Sequence, residues 1–324
     1  MGPYRIVGLG SALVDLLYPV SEEFLRTVHG GKGGTEPIDA SKLRELLARL
    51  TSKGSTVQGG STANSMVALA HLGTPGSFVA RIGRDENGAF FRKALEEAGV
   101  DVSGLKVDPQ LPTGCCLSLI TPDSERTMRT CLGADATMGP DDVLAEDFAG
   151  ATHIFIEGYS LRHRAMLLKA AELASATGME MHFDLGSPEL VRENREFLLD
   201  FIPRHVFAVY ANEMEAQALS GETEPAKALD FLEGLCRLPI VKLGKKGVIL
   251  KRRGEAAMHV PAKEVHAIDT TAAGDLWAAG FLHGYLSGWS LERAAQLGAL
   301  VSAEVVQVVG SVLPEAVWQR LRRG

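Results

Sequence analysis

Short apolar runs alternate with longer amphipathic stretches along most of the chain. The short runs suit buried β-strands, and the longer stretches have apolar residues at helical spacing. The predicted strands are residues 4–10, 77–82, 115–121, 153–156, 180–183, 205–210, 239–243, 248–251 and 264–268. The predicted helices are residues 62–71, 89–98, 164–176, 188–201, 214–219, 226–237 and 276–286. This alternation predicts an α/β fold in which a parallel sheet is covered by helices on both faces.

Two stretches in the first half of the chain do not follow this alternation of strand and helix. Residues 11–19 have no clear period and fit either a strand or a short helix. Residues 113–132 contain two β-rich runs around the turn formers Pro122 and Asp123, which predicts a β-hairpin. We therefore expect one domain over residues 1–324, with a lid contributed by residues 11–35 and 112–133.

Composition narrows the class of protein. The chain has 324 residues, of which 46% are hydrophobic and 23% charged, as is usual for a globular protein with a large core. Its net charge of −7 gives no support to nucleic-acid binding. No apolar run approaches the length of a membrane span, and the cysteines lack paired spacing for zinc. We expect a cytoplasmic protein with neither nucleic-acid nor membrane partners.

The histidines offer no metal site by their spacing along the chain. None is spaced with cysteines or acidic pairs as metal ligands usually are, so we expect surface or satisfied core residues. This interpretation applies to His153, His163, His182, His205, His259, His266 and His283.

The segment 269–275 carries the most specific chemistry. It joins the predicted strand 264–268 to a predicted helix, and small residues lie between Asp269 and Asp275. Small residues let a ligand approach the backbone, and the first amides of a helix favour an anion. A carboxylate there repels phosphate, so its presence is unexpected in a site that only binds an anion. It is expected if the carboxylate must accept the proton of a hydroxyl that attacks the phosphate. The alternative is that Asp275 only begins the helix, as Asp commonly does.

Two glycine motifs are weaker. Gly8 and Gly10 follow a predicted strand, but Leu13 stands where a dinucleotide-binding motif needs its third glycine. Gly31 and Gly33 flank a lysine as in a P-loop, yet no Ser or Thr follows Lys32. We interpret the second motif as a mobile loop.

The segment 59–64 is more informative. Gly59 and Gly60 permit close backbone approach, and Ser61 or Thr62 can cap the following helix. Asn64 lies one turn into that helix, where its amide can donate to and accept from a hydroxylated ligand. An ordinary capped helix start is the alternative interpretation.

Together, segments 59–64 and 269–275 resemble the signature of the PfkB (ribokinase-like) family of carbohydrate and nucleoside kinases. Residues 83–88 and 212–215 add similar family motifs, and the resemblance covers essentially the whole chain. Segments 10–15, 122–128 and 157–159 are most similar to bacterial adenosine kinase-like members. The resemblance implies a ribokinase-like three-layer α/β/α fold, with a mostly parallel central sheet and a small β-sheet lid.

The resemblance also implies roles at the reacting centre. Asp275 would be the general base, and Arg126 would move over the transferring phosphate when the lid closes. The backbone anion hole for the γ-phosphate would be formed by Ala272, Ala273 and Gly274. Asn212 and Glu215 would hold Mg²⁺ through water, because Mg²⁺ loses its hydration reluctantly.

Binding roles follow from the same resemblance. The hydroxyls of a ribose-like ring would be contacted by Asp15, Gly59, Gly60 and Asn64. The nucleotide would be contacted by Asn212, Lys242, Gly244, Gly247 and Thr270. Two residues depart from the family pattern, since Ala272 replaces a usual glycine and Lys242 replaces a usual Thr or Ser.

The main hypothesis is a kinase that uses ATP and Mg²⁺ to phosphorylate a primary hydroxyl of a ribose-bearing molecule, with adenosine the first candidate. A kinase for ribose, fructose or a related sugar is the alternative. A ligand-binding regulator that lost catalysis is disfavoured, because binding alone gains nothing from a proton acceptor at the phosphate. Dependence on a monovalent cation such as K⁺ is left open, as is the choice between monomer and homodimer.

Overall fold

The computed structural model describes residues 6–123 and 125–322. Tyr4 and Arg5 of the first predicted strand lie outside these residues, as does Ser124 of the predicted turn. The strands are β1 (Ile6–Leu9), β2 (Leu13–Pro19), β3 (Thr35–Pro37), β4 (Ser55–Gln58), β5 (Ser77–Gly83), β6 (Leu105–Asp108), β7 (Gly114–Ile120), β8 (Arg126–Cys131), β9 (His153–Glu157), β10 (Glu180–Asp184), β11 (Ala208–Asn212), β12 (Leu238–Lys242), β13 (Val248–Leu250) and β14 (Met258–Val260).

The helices are α1 (Glu22–Arg26), α2 (Ala40–Arg49), α3 (Ser61–Leu72), α4 (Glu86–Ala98), α5 (Arg164–Thr177), α6 (Pro188–Glu193), α7 (Arg195–His205), α8 (Glu213–Ser220), α9 (Pro225–Leu235), α10 (Ala273–Leu286), α11 (Leu291–Val305) and α12 (Glu315–Leu321). Short 3₁₀ turns lie at Gly133–Thr137, Pro140–Asp142, Ala145–Phe148, Gly158–His163 and Gly244–Lys246. No helix among the described residues is both long enough and apolar enough to cross a membrane.

A nine-stranded sheet forms the centre of the molecule, in the order β14-β13-β12-β11-β10-β9-β1-β5-β6. Neighbouring strands from β12 to β6 run parallel, and only β13 and β14 are antiparallel. Side chains that alternate along each strand enter two separate cores: Phe155 joins one, while Ile154 and Ile156 join the other. Helices α3, α4, α10 and α11 cover the first face, and α5 to α9 cover the second. The predicted three-layer fold with a mostly parallel sheet is confirmed.

A smaller sheet packs on the first core, with the order β3-β8-β7-β2-β4. Its centre is the predicted hairpin, in which β7 and β8 pair antiparallel from Ile120 opposite Arg126 to Cys115 opposite Cys131. The undecided stretch 11–19 forms strand β2, which pairs parallel with β7. All four cysteines are buried and unbridged.

Three secondary-structure predictions were wrong. Residues 264–268 form no strand; Ile268 is exposed, and its amide donates to the Val306 carbonyl at the end of α11. The predicted helix 188–201 is two helices, because Asn194 leaves helical geometry (φ −115°) and its side-chain amide bonds the Leu190 carbonyl. The predicted strand 205–210 begins only at Ala208, since His205 still ends α7.

Helix α10 lies unusually close to α11 because small residues face each other. A Cβ added at Gly280 would come within 2.8 Å of the Gly298 Cα and 2.9 Å of the Leu297 carbonyl oxygen. One added at Gly298 would come within 2.8 Å of the Trp277 carbonyl oxygen. Glycine at these two positions therefore sets the distance between the helices, and with it the position of the start of α10.

We expect Gly280→Ala to destabilise the protein by about 1–3 kcal/mol, because its methyl group overpacks a backbone contact that cannot yield cheaply. Urea unfolding measures the change. The matched control is Gly234→Ala in α9, where an added Cβ meets nothing within 4 Å. That variant should be neutral or more stable by about 0.5–1 kcal/mol, as usual for glycine replaced within a helix. Equal effects of the two variants would rule out the close helix contact.

Candidate active site

Asp275 lies in the first turn of α10, and helix α3 holds it in place. Ser61 Oγ donates to its Oδ1 at 2.6 Å, and Asn64 Nδ2 donates to its Oδ2 at 3.0 Å. Ser65 Oγ donates to its backbone oxygen at 3.0 Å. These donors are spaced i, i+3 and i+4, so they share one face of α3. The carboxylate is therefore fixed in one orientation before any ligand binds.

Burial raises the pKa of the Asp275 carboxyl above its ordinary value, while the hydrogen bonds from Asn64 and Ser61 lower it part of the way back. A base with a raised pKa accepts a proton more readily than an exposed aspartate does. Each carboxylate oxygen also keeps a lone pair beyond its present bond. The arrangement can take a proton from a hydroxyl placed against it.

The start of α10 can receive an anion. The Ala273 amide donates to the Thr270 carbonyl at 3.2 Å. The structure gives no hydrogen bond from the amides of Gly274 and Asp275 to any described residue. These N–H groups and the positive end of the helix dipole lie beside the base. Of the predicted anion hole, Gly274 thus has an available amide, whereas that of Ala273 already has a partner.

Ala272 precedes this helix in the left-handed region, with φ +58°. It is the only described non-glycine residue with positive φ. The left-handed conformation costs an L-residue about 1–2 kcal/mol, which explains why glycine is usual here. The conformation of the turn is kept although the glycine is not.

The predicted capping of α3 by Ser61 or Thr62 was wrong. Gly60 precedes the helix with φ +89°, and its missing side chain avoids the Ser11 carbonyl oxygen, 2.4 Å from an added Cβ. The cap comes instead from Glu157 at the end of β9, whose carboxylate accepts from the amides of Thr62 at 2.7 Å and Ser11 at 2.9 Å. Burial raises the pKa of Glu157 to about 7.

Asp15 on β2 faces the same space from the smaller sheet. A Cβ at Gly59 would lie 2.3 Å from Asp15 Oδ1, so glycine at 59 makes room for this carboxylate. No hydrogen-bond partner of its side chain lies among the described residues. Burial raises its pKa to about 7, Arg126 opposes that rise and Asp275 adds to it. A carboxylate near its titration point and lacking protein donors suits a ligand hydroxyl.

Lys242 ends β12 and points toward the start of α10. Its Nζ donates to Asp184 Oδ2 at 2.7 Å and lies 3.2 Å from where a Cβ on Gly274 would be. Burial lowers the pKa of this ammonium, but Asp184 and Glu215 outweigh burial and raise the pKa above its usual value. Lys242 therefore keeps a positive charge beside the available amides of the helix.

Asn212 and Glu215 bind each other in a capping box at the start of α8. The Asn212 amide and side-chain Nδ2 each donate to the Glu215 carboxylate at 2.7 Å, and the Glu215 amide donates back at 2.9 Å. Burial raises the pKa of Glu215, and nearby Asp184 raises it further. The predicted metal-holding pair is thus also a structural cap.

Arg126, which the sequence predicts to act on the transferring phosphate, lies in β8 of the smaller sheet. It forms an ion pair with Asp269 that joins the smaller sheet to the segment before α10. The Gly310 and Thr271 amides also donate to this carboxylate, at 2.7 and 3.0 Å. Although burial alone raises the pKa of Asp269, these bonds and the Arg126 charge hold it below its ordinary value.

The remaining predicted nucleotide contacts lie next to the site. Gly244 and Gly247 form the turn after β12, and both have positive φ. A Cβ at Gly247 would be 2.1 Å from the Val260 carbonyl oxygen, so this glycine is needed for packing whatever it binds. Thr270 is exposed, and its carbonyl accepts a hydrogen bond from the Ala273 amide.

Sequence reasoning missed Asp184 and Gln58. Asp184 ends a buried parallel strand beside the predicted Asn212, and a charged residue at that point was a usable signal. Gln58 Nε2 donates to Asn64 Oδ1 at 3.1 Å and so fixes which end of the Asn64 amide faces Asp275. Nothing in the local pattern indicates that role.

Comparison with known proteins shows which family has this sequence and fold. The model of the pfkB family carbohydrate kinases matches residues 38–317. The adenosine kinase of Sinorhizobium meliloti is similar in structure, with a TM-score of 0.90 and 31% identity over 99% of both chains. A probable sugar kinase from Rhizobium etli has a TM-score of 0.91 and 29% identity, covering 100% of this chain and 99% of its own. The aminoimidazole riboside kinase of Salmonella typhimurium is 30% identical over 69% of this chain and 72% of its own.

Because Ala272 carries a strained backbone, Ala272→Gly should raise the free energy of unfolding by up to about 1 kcal/mol. The gain is the relief of strain less the extra chain entropy that glycine brings to the unfolded state. Chemical unfolding of the two proteins measures it.

Ala273→Gly is the matched control, since Ala273 is the first helical residue and has no positive φ. It should lower stability by about 0.5–1 kcal/mol. Loss of stability in both variants would contradict the left-handed conformation at position 272.

Proposed function

The chain belongs to the pfkB family of carbohydrate kinases, and on that premise we propose that it phosphorylates a primary hydroxyl of a ribose-bearing molecule, adenosine first. Members of the family are ATP-dependent phosphotransferases acting on sugar hydroxyl groups, and the chain is an enzyme of this class. The substrate and the roles of individual residues are the proposal.

One observation carries it: a pre-oriented carboxylate lies at the start of a helix whose first amides are available. Asp275 accepts from Ser61 and Asn64, so neither oxygen can turn away. The Gly274 and Asp275 amides lie within the same turn. Binding a phosphate needs the amides, and activating a hydroxyl needs the base. A site for phosphoryl transfer needs both, close together.

The mechanism follows from that arrangement. The acceptor hydroxyl lies against Asp275, its oxygen forms a bond to the γ-phosphorus of ATP, and its proton passes to the carboxylate. The bond from the γ-phosphorus to the bridging oxygen breaks, and ADP leaves with that electron pair. Amides at the start of α10 stabilise the charge on the equatorial oxygens. Asp15, beside Gly59, accepts a hydrogen bond from a hydroxyl of the sugar ring and so sets the position of the ring.

The kinases of this family generally use Mg²⁺ with ATP, and the acidic residues here fit such an ion held through water. Glu215 accepts two hydrogen bonds and keeps lone pairs, but at 3% exposure it has little room for a direct metal bond. When bound, Mg²⁺ neutralises charge on the phosphates. Asn212 keeps Glu215 oriented for this role.

Lys242 contributes a second positive charge. Asp184 anchors its ammonium within reach of the Gly274 backbone, at the place where the transferring phosphate would meet the helix. A lysine is a compact point charge, suited to an anion whose geometry changes during reaction. We assign Lys242 to the γ-phosphate. Its positive charge there would add to phosphate binding at a turn in which Ala272 replaces the usual glycine.

The lid role of the smaller sheet is supported by the Arg126–Asp269 ion pair. The bond ties β8 to the segment directly before Ala272 and Ala273. Opening of the smaller sheet must break this ion pair, and closure over bound ATP would then bring Arg126 to the transferring phosphate. A closed lid excludes water, which would otherwise compete as phosphate acceptor.

Full-length similarity to an adenosine kinase supports a nucleoside as substrate. The second candidate is a free sugar, which the comparable similarity to a probable sugar kinase favours. Both substrates offer the same hydroxyl to Asp275. They differ in whether a base must also be held.

A coupled assay of ADP release over adenosine, other nucleosides, ribose and fructose tests the proposal. We expect the highest kcat/KM with adenosine. Asp275→Asn should lower kcat by about 10²–10⁴-fold with little change in ATP binding, because the amide cannot take up the proton. The same assay measures both effects.

Asp200→Asn is the matched control, since this exposed aspartate on α7 forms an ion pair with Arg204 on the same helix. It should retain full turnover. A sugar preferred over every nucleoside would select the second candidate. Absence of substrate-dependent ADP release, or unchanged turnover in Asp275→Asn, would overturn the proposed function.

Lys242→Met should lower kcat/KM by about 100-fold, as expected for loss of one transition-state donor. The acidic limb of the pH profile should also move. The Lys242 charge lowers the pKa of Asp275, so its removal raises that pKa. The base then becomes protonated at a higher pH, and the acidic limb moves to higher pH. A shift of about one pH unit is expected for a charge at this range.

Lys251→Met controls for removal of a buried, ion-paired lysine. Lys251 is 7% exposed and bonds Asp230 at 2.6 Å, away from Asp275. It should leave the pH profile in place. An unshifted acidic limb in Lys242→Met would disprove the assigned role.

A further inference from the structure

At the amino ends of the central strands, opposite to the candidate active site, lies a cluster of His153, Glu180 and His182. Glu180 stands directly across from His153 in the β9–β10 pair. His182 follows two residues after Glu180 and therefore points to the same face of the sheet. The spacing of these residues along the sequence gave no sign of the cluster, because strand pairing creates it.

The ligand-type atoms of the cluster lie close together. His153 Nδ1 is 3.3 Å from His182 Nε2 and 3.5 Å from Glu180 Oε2. All three atoms lie within 4.8 Å of one another. Ligands bound tetrahedrally at the zinc–nitrogen distance of about 2.0–2.1 Å are about 3.4 Å apart. Two of the three separations thus match zinc before any side chain moves.

Tyrosines orient two of these side chains from outside the cluster. The Tyr210 hydroxyl lies 3.0 Å from His182 Nδ1, and the Tyr285 hydroxyl donates to Glu180 Oε2 at 2.8 Å. With His182 Nδ1–H directed to Tyr210, Nε2 keeps its lone pair for a metal. Such outer hydrogen bonds are the usual support of metal-binding histidine and carboxylate.

The cluster is also accessible to a cation. Glu180 retains 35% side-chain exposure and gives the cluster a path to solvent. The guanidinium of Arg252 lies over the Tyr285 ring, 5.9 Å from its centre.

We propose that His153 Nδ1, His182 Nε2 and Glu180 form a zinc-binding site, separate from the kinase centre. A ligand set of two imidazoles and a carboxylate favours Zn²⁺ over Mg²⁺. Water completes the coordination on the side of the cluster that Glu180 leaves open to solvent. A bound ion joins β9 to β10 and, through Tyr285, to the end of α10. The site stabilises the fold and leaves the reacting atoms untouched.

Calorimetric titration of untagged, chelator-treated protein with Zn²⁺ tests the proposal, and Mg²⁺ is titrated for comparison. We expect one Zn²⁺ per chain and no comparable binding of Mg²⁺. Glu180→Gln and His153→Gln should each weaken zinc binding by at least about 10-fold, and Tyr285→Phe by about 10-fold. At a zinc concentration 100 times the Kd, the unfolding equilibrium constant of the wild type should fall about 100-fold.

Two controls separate this site from others. His259→Gln removes an exposed histidine of β14 outside the cluster and should leave zinc binding unchanged. Asp275→Asn should also bind zinc normally, which distinguishes this site from the kinase centre even if the proposed kinase activity is wrong. No zinc binding by the wild type, or equal binding in folded Glu180→Gln and His153→Gln, would overturn the proposal.

Discussion

The contact between the starts of α10 and α3 is the constraint on which the site depends. Asp275 accepts from Ser61 and Asn64, and its backbone oxygen accepts from Ser65. The contact forms only if both helices begin where they do. For α3 this requires the positive φ of Gly60 and the buried cap from Glu157, and for α10 it requires the left-handed turn at Ala272. Ala272, the one described non-glycine residue with positive φ, thus lies in the turn that places the candidate base.

Burial of several neighbouring carboxylates gives the candidate site its acid–base character. Asp15, Asp184, Glu215 and Asp275 lie close enough to influence one another, and burial raises the pKa of Asp15, Glu215 and Asp275. Their mutual repulsion would be costly without Lys242, which the carboxylates in turn keep charged. The lysine that stands where the family usually has Thr or Ser therefore changes the electrostatics of this whole group of carboxylates, including Asp275.

Sequence predicted much of the fold because buried parallel strands and their helices leave strong local patterns. The hairpin at β7 and β8 and the helix at α10 followed from such patterns. The strand expected at residues 264–268 failed because its alternating residues face solvent and bond to the end of α11. Alternation indicates a half-buried surface, but it cannot supply a neighbouring strand.

Some residues of the candidate site could be predicted from the sequence and others could not. Short local motifs predicted roles for Asp275, Gly59 and Asn212, and those roles stay predictions. Asp184 was missed because it bonds Lys242, 58 residues away, and Gln58 because the local pattern does not indicate its bond to Asn64. The zinc-type cluster is the extreme case, since His153 and His182 become neighbours only through the register of β9 and β10. Buried polar groups need partners, and this cluster has them in a chain from Tyr210 to Tyr285. That chain ends on α10, the same helix whose first turn carries Asp275. One helix therefore connects the candidate active site at the carboxyl edge of the sheet to the polar cluster at the amino edge.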